Sequence, residues 1–564
     1  MPANYGNIAA HLTEMAKLQP SRPAVICANG RDAQGAVAYD QLSFGALDEA
    51  SSRLAHGLES AGIGRGVRTA LMVPPSLDFF TVTFALFKAG AVPVLIDPGI
   101  GLAKIRGCLA QARPEAFIGI PKAHAARVVL GWARDSVRIK VTAGSKWFWG
   151  GHTLQGLLER ADGMGPFAAI EPEPDETAAI LFTSGSTGAP KGAVYTHAIF
   201  GAQVEHIRRL YGIAPGEMDL ATFPLFALFG PALGMTAVVP AMDASRPASV
   251  DPANIVSAIE KFGITNMFGS PALINRVGRY GEGQKIGLPS LRRAISAGAP
   301  VPAKVLARFA SMLSPGAQVF TPYGATECLP VASIGSDEVF NETRHRTDAG
   351  AGVCVGRSVP GLELKVIRIS DDPIESWSDE LELPAGEIGE IAVKAVHATR
   401  SYFELPQATA LAKIQDPGDG GFYHRMGDVG YIDSGGRLWF CGRKAHRVAA
   451  RGMTRFSIPC EGVFNAHPKV YRTALVGVER NGLVEPVLCV ELEAGARGDS
   501  QDAIRDELRR LGAGHEHTRD IDTFLFHPAF PVDVRHNAKI FREKLALWAA
   551  GKVAGAKPAA GKSN

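Results

Sequence analysis

At 564 residues the chain is longer than one ordinary hydrophobic core can organise, and length alone predicts roughly three or four domain-sized units. With 46% hydrophobic and 20% charged residues it reads as globular rather than disordered, and a net charge of +3 without basic runs interleaved with aromatics excludes a nucleic-acid groove. Seven scattered cysteines, odd in number and without a C-x-x-C pair, point to reduced thiols and a cytoplasmic setting, and no signal peptide is read at the N-terminus.

Ile8, Leu12 and Met15 recur at helical spacing and predict a docking helix. Between 24 and 140, apolar runs at 67–73, 91–96 and 116–120 predict strands, and 77–88 predicts a helix. That alternation implies a mostly parallel, helix-flanked sheet. Residues 143–176, rich in Gly, Pro and acid, break the pattern. Within them Lys146-Trp147-Phe148-Trp149 is read as a packed loop, the alternative being a peripheral contact with a membrane or partner. A second α/β stretch runs from about 178 to 330.

From 220 to 242 no residue carries a charge, a length that could span a bilayer. Pro224, Pro231, Pro240, Gly230 and Gly234 interrupt it, and such breaks leave backbone groups unpaired in lipid. The stretch is therefore read as buried loop and helix, or an apolar pocket wall, with no transmembrane span. From 350 to 442 strands dominate, with alternation at 362–369 and 387–394. Runs at 470–478 and 484–493 flank Asn481-Gly482, a strong hairpin signal. A helix at 501–511 and a strand at 521–527 follow, and 551–564 is read as a disordered tail. The fold class is α/β (mixed α+β).

The chemistry concentrates in Thr183-Ser184-Gly185-Ser186-Thr187-Gly188-Ala189-Pro190-Lys191-Gly192, which follows the apolar run 178–182. Hydroxyls donate to phosphate oxygens, glycines let backbone N–H groups turn toward an anion, and the lysine adds a mobile charge. A hydroxyl-rich loop after a buried strand suits a triphosphate. It is not a Walker loop, which needs Gly before Lys. The alternative is a flexible linker, which the preceding strand and the embedded Pro-Lys-Gly disfavour.

Four further clusters accompany it. Tyr323-Gly324-Ala325-Thr326-Glu327 places an aromatic face, a hydroxyl and a carboxylate together; such groups stack on a base and ligate Mg²⁺. Asp428 lies between Gly427 and Gly430, where an acid can accept from ribose hydroxyls, a turn aspartate being the plainer reading. Gly442-Arg443-Lys444 follows a short apolar strand, and Lys539 follows Arg535-His536-Asn537-Ala538 near the C-terminus.

In this order the clusters resemble the adenylate-forming superfamily of acyl- and aryl-CoA ligases, luciferases and peptide-synthetase adenylation domains, over about residues 20 to 550. The resemblance implies ATP and Mg²⁺ as cofactors. It implies a large N-terminal domain, 1–442, with a β-rich subdomain at about 350–442, and a small mobile domain, 443–550, carrying the catalytic lysine. Residues 183–192 match the family's phosphate loop. Ser296-Ala297-Gly298-Ala299-Pro300 resembles its adenine-side turn, and 323–327 its adenine, α-phosphate and magnesium motif. Asp428 and Arg443 fall at the ribose, Lys444 at the hinge and Lys539 at the catalytic lysine. Glu327 is the implied metal ligand, with Thr326 beside it. Opposing charge at the joined carboxylate and α-phosphate is what such a reaction needs.

Where many members read Pro-Leu-Phe-His, this chain reads Pro224-Leu225-Phe226-Ala227, followed by Leu228-Phe229-Gly230. An apolar residue in place of the gating His suggests a long greasy acyl pocket with Phe226, Ala227 and Phe229 in its wall. It also weakens the case for a CoA half-reaction. Segments 74–101, 223–243, 321–330 and 533–549 are similar to the β-lactone synthetase family of bacterial long-chain olefin biosynthesis. That resemblance implies a long-chain 2-alkyl-3-hydroxyalkanoic acid, adenylated and then closed on itself by its 3-hydroxyl. It also implies a hydrolase-fold β-lactone decarboxylase and a reductase as pathway partners. The alternatives are a long-chain fatty acyl-CoA or acyl-carrier-protein ligase, and an inactive adenylate-binding scaffold. His197 and His536 are candidate bases for the hydroxyl, each with a structural reading beside it, and His515-Glu516-His517 reads as a solvated turn without metal-ligand spacing.

Overall fold

The computed structural model describes residues 6–183, 189–533 and 539–555. Among these, one sheet has seven strands in the order His152–Thr153, Ile139–Thr142, Ala116–Gly119, Arg68–Met72, Val92–Ile96, Thr177–Thr183 and Lys191–Thr196. All neighbours run parallel except the final pair, which is antiparallel. The expected strands are present with ends trimmed by a residue or so. The helix Leu77–Lys88 has the expected bounds, and the Ser76 hydroxyl accepts from the Phe79 N–H at its N-terminus. This helix is apolar nearly all round and buried nearly all round. Its Lys88 stays inside because Asp48 and Ser52 receive the ammonium at 2.7 and 2.9 Å.

The second sheet has fourteen strands. Its parallel part comprises Pro23–Arg31, Thr236–Val239, Met218–Ala221, Asn266–Phe268, Arg293–Ile295 and Gln318–Ala325. It continues, antiparallel, through Cys328–Gly335, Val353–Ser358, Leu438–Arg443, Phe422–Ile432, Gly389–Lys394 and Glu363–Ile367. The strand-rich stretch from 350 is thus an extension of this sheet. Pro23–Arg31 departs from the expected order: with its hairpin partner Val37–Ser43 it joins this second sheet, beside Thr236–Val239, and not the sheet formed by the strands at 68–142. Residues 143–176 contain a short strand, His152–Thr153, and a helix, Leu154–Arg160.

The uncharged stretch from 220 is short strand and one-turn helix, Pro224–Ala227 and Phe229–Ala232, ending in Thr236–Val239. Among the described residues no helix is long and apolar enough to cross a membrane. In the aromatic loop, Trp149 is packed, its indole N–H donating to Thr142 at 2.9 Å and its ring stacked on His124. Trp147 and Phe148 are exposed, so the packed-loop reading holds for one ring of the three.

Asn481-Gly482 makes the tight turn of a hairpin, Val470–Arg480 and Leu483–Leu492, with both turn residues at positive φ. Thr523–Phe526 adds in parallel. The helix Arg542–Gly555 corrects the tail expectation: residues 551–555 are helical, because Leu545 and Ala549 bury one side of the helix on the hairpin. This unit meets the rest of the chain at a helix and a turn. Lys304 meets Glu493 at 2.6 Å, and Gly350 lies so close to His517 that a Cβ would fall 2.5 Å from its Nε2. His517 is half-buried there, so only part of the 515–517 segment is solvated.

Candidate active site

A single cavity of about 540 Å³ runs between the two large sheets and receives side chains from nearly every expected motif. Ala189, Lys191, Gly298, Tyr323, Gly324, Thr326, Glu327, Arg443, Lys444 and Lys539 line it. The strand ends at Thr183, whose register partner is Lys191. Ser184, Gly185, Ser186, Thr187 and Gly188 lie outside the described residues.

Thr326 and Glu327 form the tip between Gln318–Ala325 and Cys328–Gly335, with Ala325 paired to Cys328. Gly324 permits that closure: a Cβ there would lie 2.8 Å from the Cys328 carbonyl oxygen. Three groups absent from the sequence expectations hold the tip. Tyr402 donates to the Glu327 carboxylate at 2.7 Å, Tyr195 donates to the Thr326 carbonyl, and the Thr399 N–H donates to the Glu327 carbonyl at 2.8 Å. Lys191 stands 4.9 Å over the Tyr402 ring, which ties the phosphate-loop end to the Glu327 tip. Tyr402 and Tyr195 are far from any motif, and no local pattern announces them.

Asp428 and Arg443 are register partners on adjacent antiparallel strands, and their side chains pair at 3.0 Å. Tyr323 donates to the other Asp428 oxygen at 2.7 Å. Burial raises the Asp428 carboxyl above its usual range against the opposing pull of Arg443 and Tyr323, and Lys539 also acts on it. Asp428 itself stands behind Tyr323 and Arg443 and is not among the lining residues. Gly298 has φ +100°, a conformation that favours glycine, while Ala299 and Pro300 follow it without lining the cavity.

Lys444 begins a short 3₁₀ turn and donates to the Ser370 carbonyl at 2.6 Å and to Glu390 at 3.2 Å. Glu390 is fully buried and is also paired with Arg425 at 2.7 Å. Phe226 and Phe229 line the acyl end, and Phe226 stacks on Phe268 at 4.3 Å. Ala227 is a correction: it is fully buried in the core behind them and does not line the cavity.

His197, a candidate base, is buried and accepts from the Ile8 N–H at 3.2 Å; burial lowers its imidazole to about 4. It does not line the cavity, and its position supports the structural reading. His536 lies outside the described residues. His424 does line the cavity, beside the buried Lys413 at 3.1 Å. Desolvation brings that ammonium down to about 7.

Among the described residues no cluster of three His, Cys, Asp or Glu could hold a metal alone. The donor set suits Mg²⁺ rather than a protein-caged ion: among the carboxylates that line the cavity, Glu327 is the one in the 323–327 motif, next to Thr326, as expected for a cation shared with substrate phosphates.

The chain matches the AMP-binding enzyme family over residues 12–403 and belongs to that family. It is an AMP-forming, ligase-type enzyme. It is 50% identical over 548 residues to the olefin beta-lactone synthetase of Xanthomonas campestris pv. campestris, covering 96% of this chain and 97% of that protein. It is also 50% identical to the olefin beta-lactone synthetase of Stenotrophomonas maltophilia, over 97% of this chain and 98% of that one. The fold is shared with the amide bond synthetase McbA from Marinactinospora thermotolerans, at a TM-score of 0.78 and 23% identity over 96% of this chain and 99% of that one.

Proposed function

We propose that the protein is a β-lactone synthetase. It adenylates a long-chain 2-alkyl-3-hydroxyalkanoic acid and then closes it to the lactone. In the first step a carboxylate oxygen attacks the α-phosphorus of ATP and pyrophosphate leaves. In the second the 3-hydroxyl oxygen attacks the acyl carbonyl, and AMP and the hydroxyl proton leave. No external acceptor is consumed, and the tethered nucleophile avoids the entropy cost of binding one.

The observation that carries this reading is the near-full-length 50% identity to two olefin beta-lactone synthetases. Identity to a medium-chain fatty-acid–CoA ligase of Escherichia coli is 26%. The cavity supports it. Apolar lining comes from both sides, Phe84, Phe87 and Phe200 from one sheet's helices and Phe268 and Ile295 from the other sheet, with Phe226 from the one-turn helix beside it, as an acid with two alkyl branches requires.

The roles follow the resemblance to the adenylate-forming superfamily. Lys539 would bridge the carboxylate and α-phosphate, and Glu327 with Thr326 would hold Mg²⁺. Thr183 to Gly188 and Lys191 would grip the β- and γ-phosphates. Tyr323, Gly324 and the turn at Gly298, Ala299 and Pro300 would cradle adenine, with Asp428 and Arg443 toward the ribose. Residues 1–442 and 443–550 would act as two bodies joined at Lys444, in a cytoplasmic enzyme. Its strained lactone calls for a downstream decarboxylase.

Incubation with ATP, Mg²⁺ and the hydroxy acid, with and without CoA, tests the reading by NMR. A β-lactone with AMP in the absence of CoA is expected. A thioester formed only with CoA would replace it with an acyl-CoA ligase, and no AMP in either case with an inactive scaffold.

A further inference from the structure

The acyl end of the cavity is built on one face of the parallel sheet, and strand register places its lining in rows. Asp219 pairs with Asn266, which pairs with Arg293. Two residues further along the strands, on the same face, stand Ala221, Phe268 and Ile295. Two further still come Phe223, Ser270, Ala297 and Pro322, beside the Gly298 turn. Asp219, Asn266, Phe268, Ile295, Ala297 and Pro322 all line the cavity.

The apolar character stops at the first row. Asn266 donates to Asp219 at 2.5 Å, and both side chains are more than nine-tenths buried. The Asn266 side-chain oxygen Oδ1 has no hydrogen-bond partner among the described residues. On the side away from the rows that lead to Gly298, Glu217 receives Arg293 at 2.7 Å and Thr265 at 3.1 Å. A methylene pushed into this layer would strip buried polar groups of their partners.

We infer that Asp219 and Asn266 form a polar floor that sets the length of alkyl branch the enzyme accepts. The inference rests on the acyl-adenylate reading of the cavity. Four residues separate Arg293 from Ala297, about 13 Å of strand. That depth holds roughly ten carbons of an extended chain with ~1.5 Å bonds. Burial of the Asp219 carboxyl pushes it up to about 7, so the floor can present a neutral acid and amide rather than a bare charge.

The test is a homologous series of 2-alkyl-3-hydroxy acids, lengthened one carbon at a time in each branch separately. The readout is kcat/KM for pyrophosphate release. In the wild type the value should rise about fourfold per added methylene and then stop rising near the calculated depth in one branch. Asn266→Ala should move that break to longer chains and Asn266→Leu to shorter ones, while Asp219→Asn, similar in size and polarity, leaves it in place. A break that stays put in both Asn266 variants overturns the floor. So does a smooth wild-type series with no break, a result that needs no variant to fold. No pyrophosphate from any chain length would instead overturn the substrate reading.

Discussion

The Tyr323 hydroxyl donates to the Asp428 carboxylate at 2.7 Å, joining the aromatic motif to the acid expected at the ribose. Arg443 holds the same carboxylate at 3.0 Å, so three motifs separated in the chain form one unit. Removing one partner strands the others. Tyr323→Phe should cost about 1 kcal/mol of stability and raise the KM for ATP severalfold. Asp428→Ala should do more, because Arg443 then loses its counter-charge. Denaturant titration and ATP saturation kinetics check both. Equal and negligible effects would dissolve the unit.

Lys539 lines the cavity and acts electrostatically on Asp428. If it supplies charge only while the anhydride forms, Lys539→Ala should slow pyrophosphate release by about 10²–10³. The variant should still convert presynthesised acyl-adenylate to lactone. Loss of both steps would mean that Lys539 serves ring closure as well.

The Lys444–Glu390–Arg425 cluster pins the start of the C-terminal unit. If Lys444 is the hinge, Lys444→Pro should leave first-turnover pyrophosphate release near the wild-type rate and slow steady-state turnover. Rapid-quench kinetics separates the two phases, and an unaltered steady state would argue against the hinge.

These placements show how far the sequence could be read. The Asn481-Gly482 hairpin, the helix Leu77–Lys88 and the 323–327 motif were legible because local rules govern them: turn chemistry, apolar periodicity and contiguous spacing. The partners of Glu327 were not. Tyr402 reaches Glu327, and Tyr195 the Thr326 carbonyl beside it, by tertiary packing from loop and strand segments with ordinary composition. Ala227 was misplaced for a related reason: a one-turn helix gives too little periodicity to say which residue faces a cavity. Nor did composition show that Pro23–Arg31, with Val37–Ser43, would join the sheet built mostly from residues after 218.

His197 should prove structural. Its imidazole is lowered to about 4 by burial, so in acid the unfolded chain takes up this proton before the folded one does. The stability it contributes is therefore present above pH ~6.5 and lost as pH falls toward ~4. His197→Gln should keep ring closure and flatten the fall in stability between those pH values. Denaturant midpoints and lactone formation measure the two, and abolished lactone formation in a folded variant would restore His197 as a base.

The central claim is that the carboxyl is activated and the 3-hydroxyl attacks it. Substrate carrying ¹⁸O in both carboxylate oxygens tests this most directly, read by mass spectrometry of AMP and lactone after one turnover. The account predicts one ¹⁸O in AMP and one in the lactone carbonyl. Unlabelled AMP with both ¹⁸O atoms in the lactone would show that the hydroxyl was activated and the carboxylate attacked, and would contradict it.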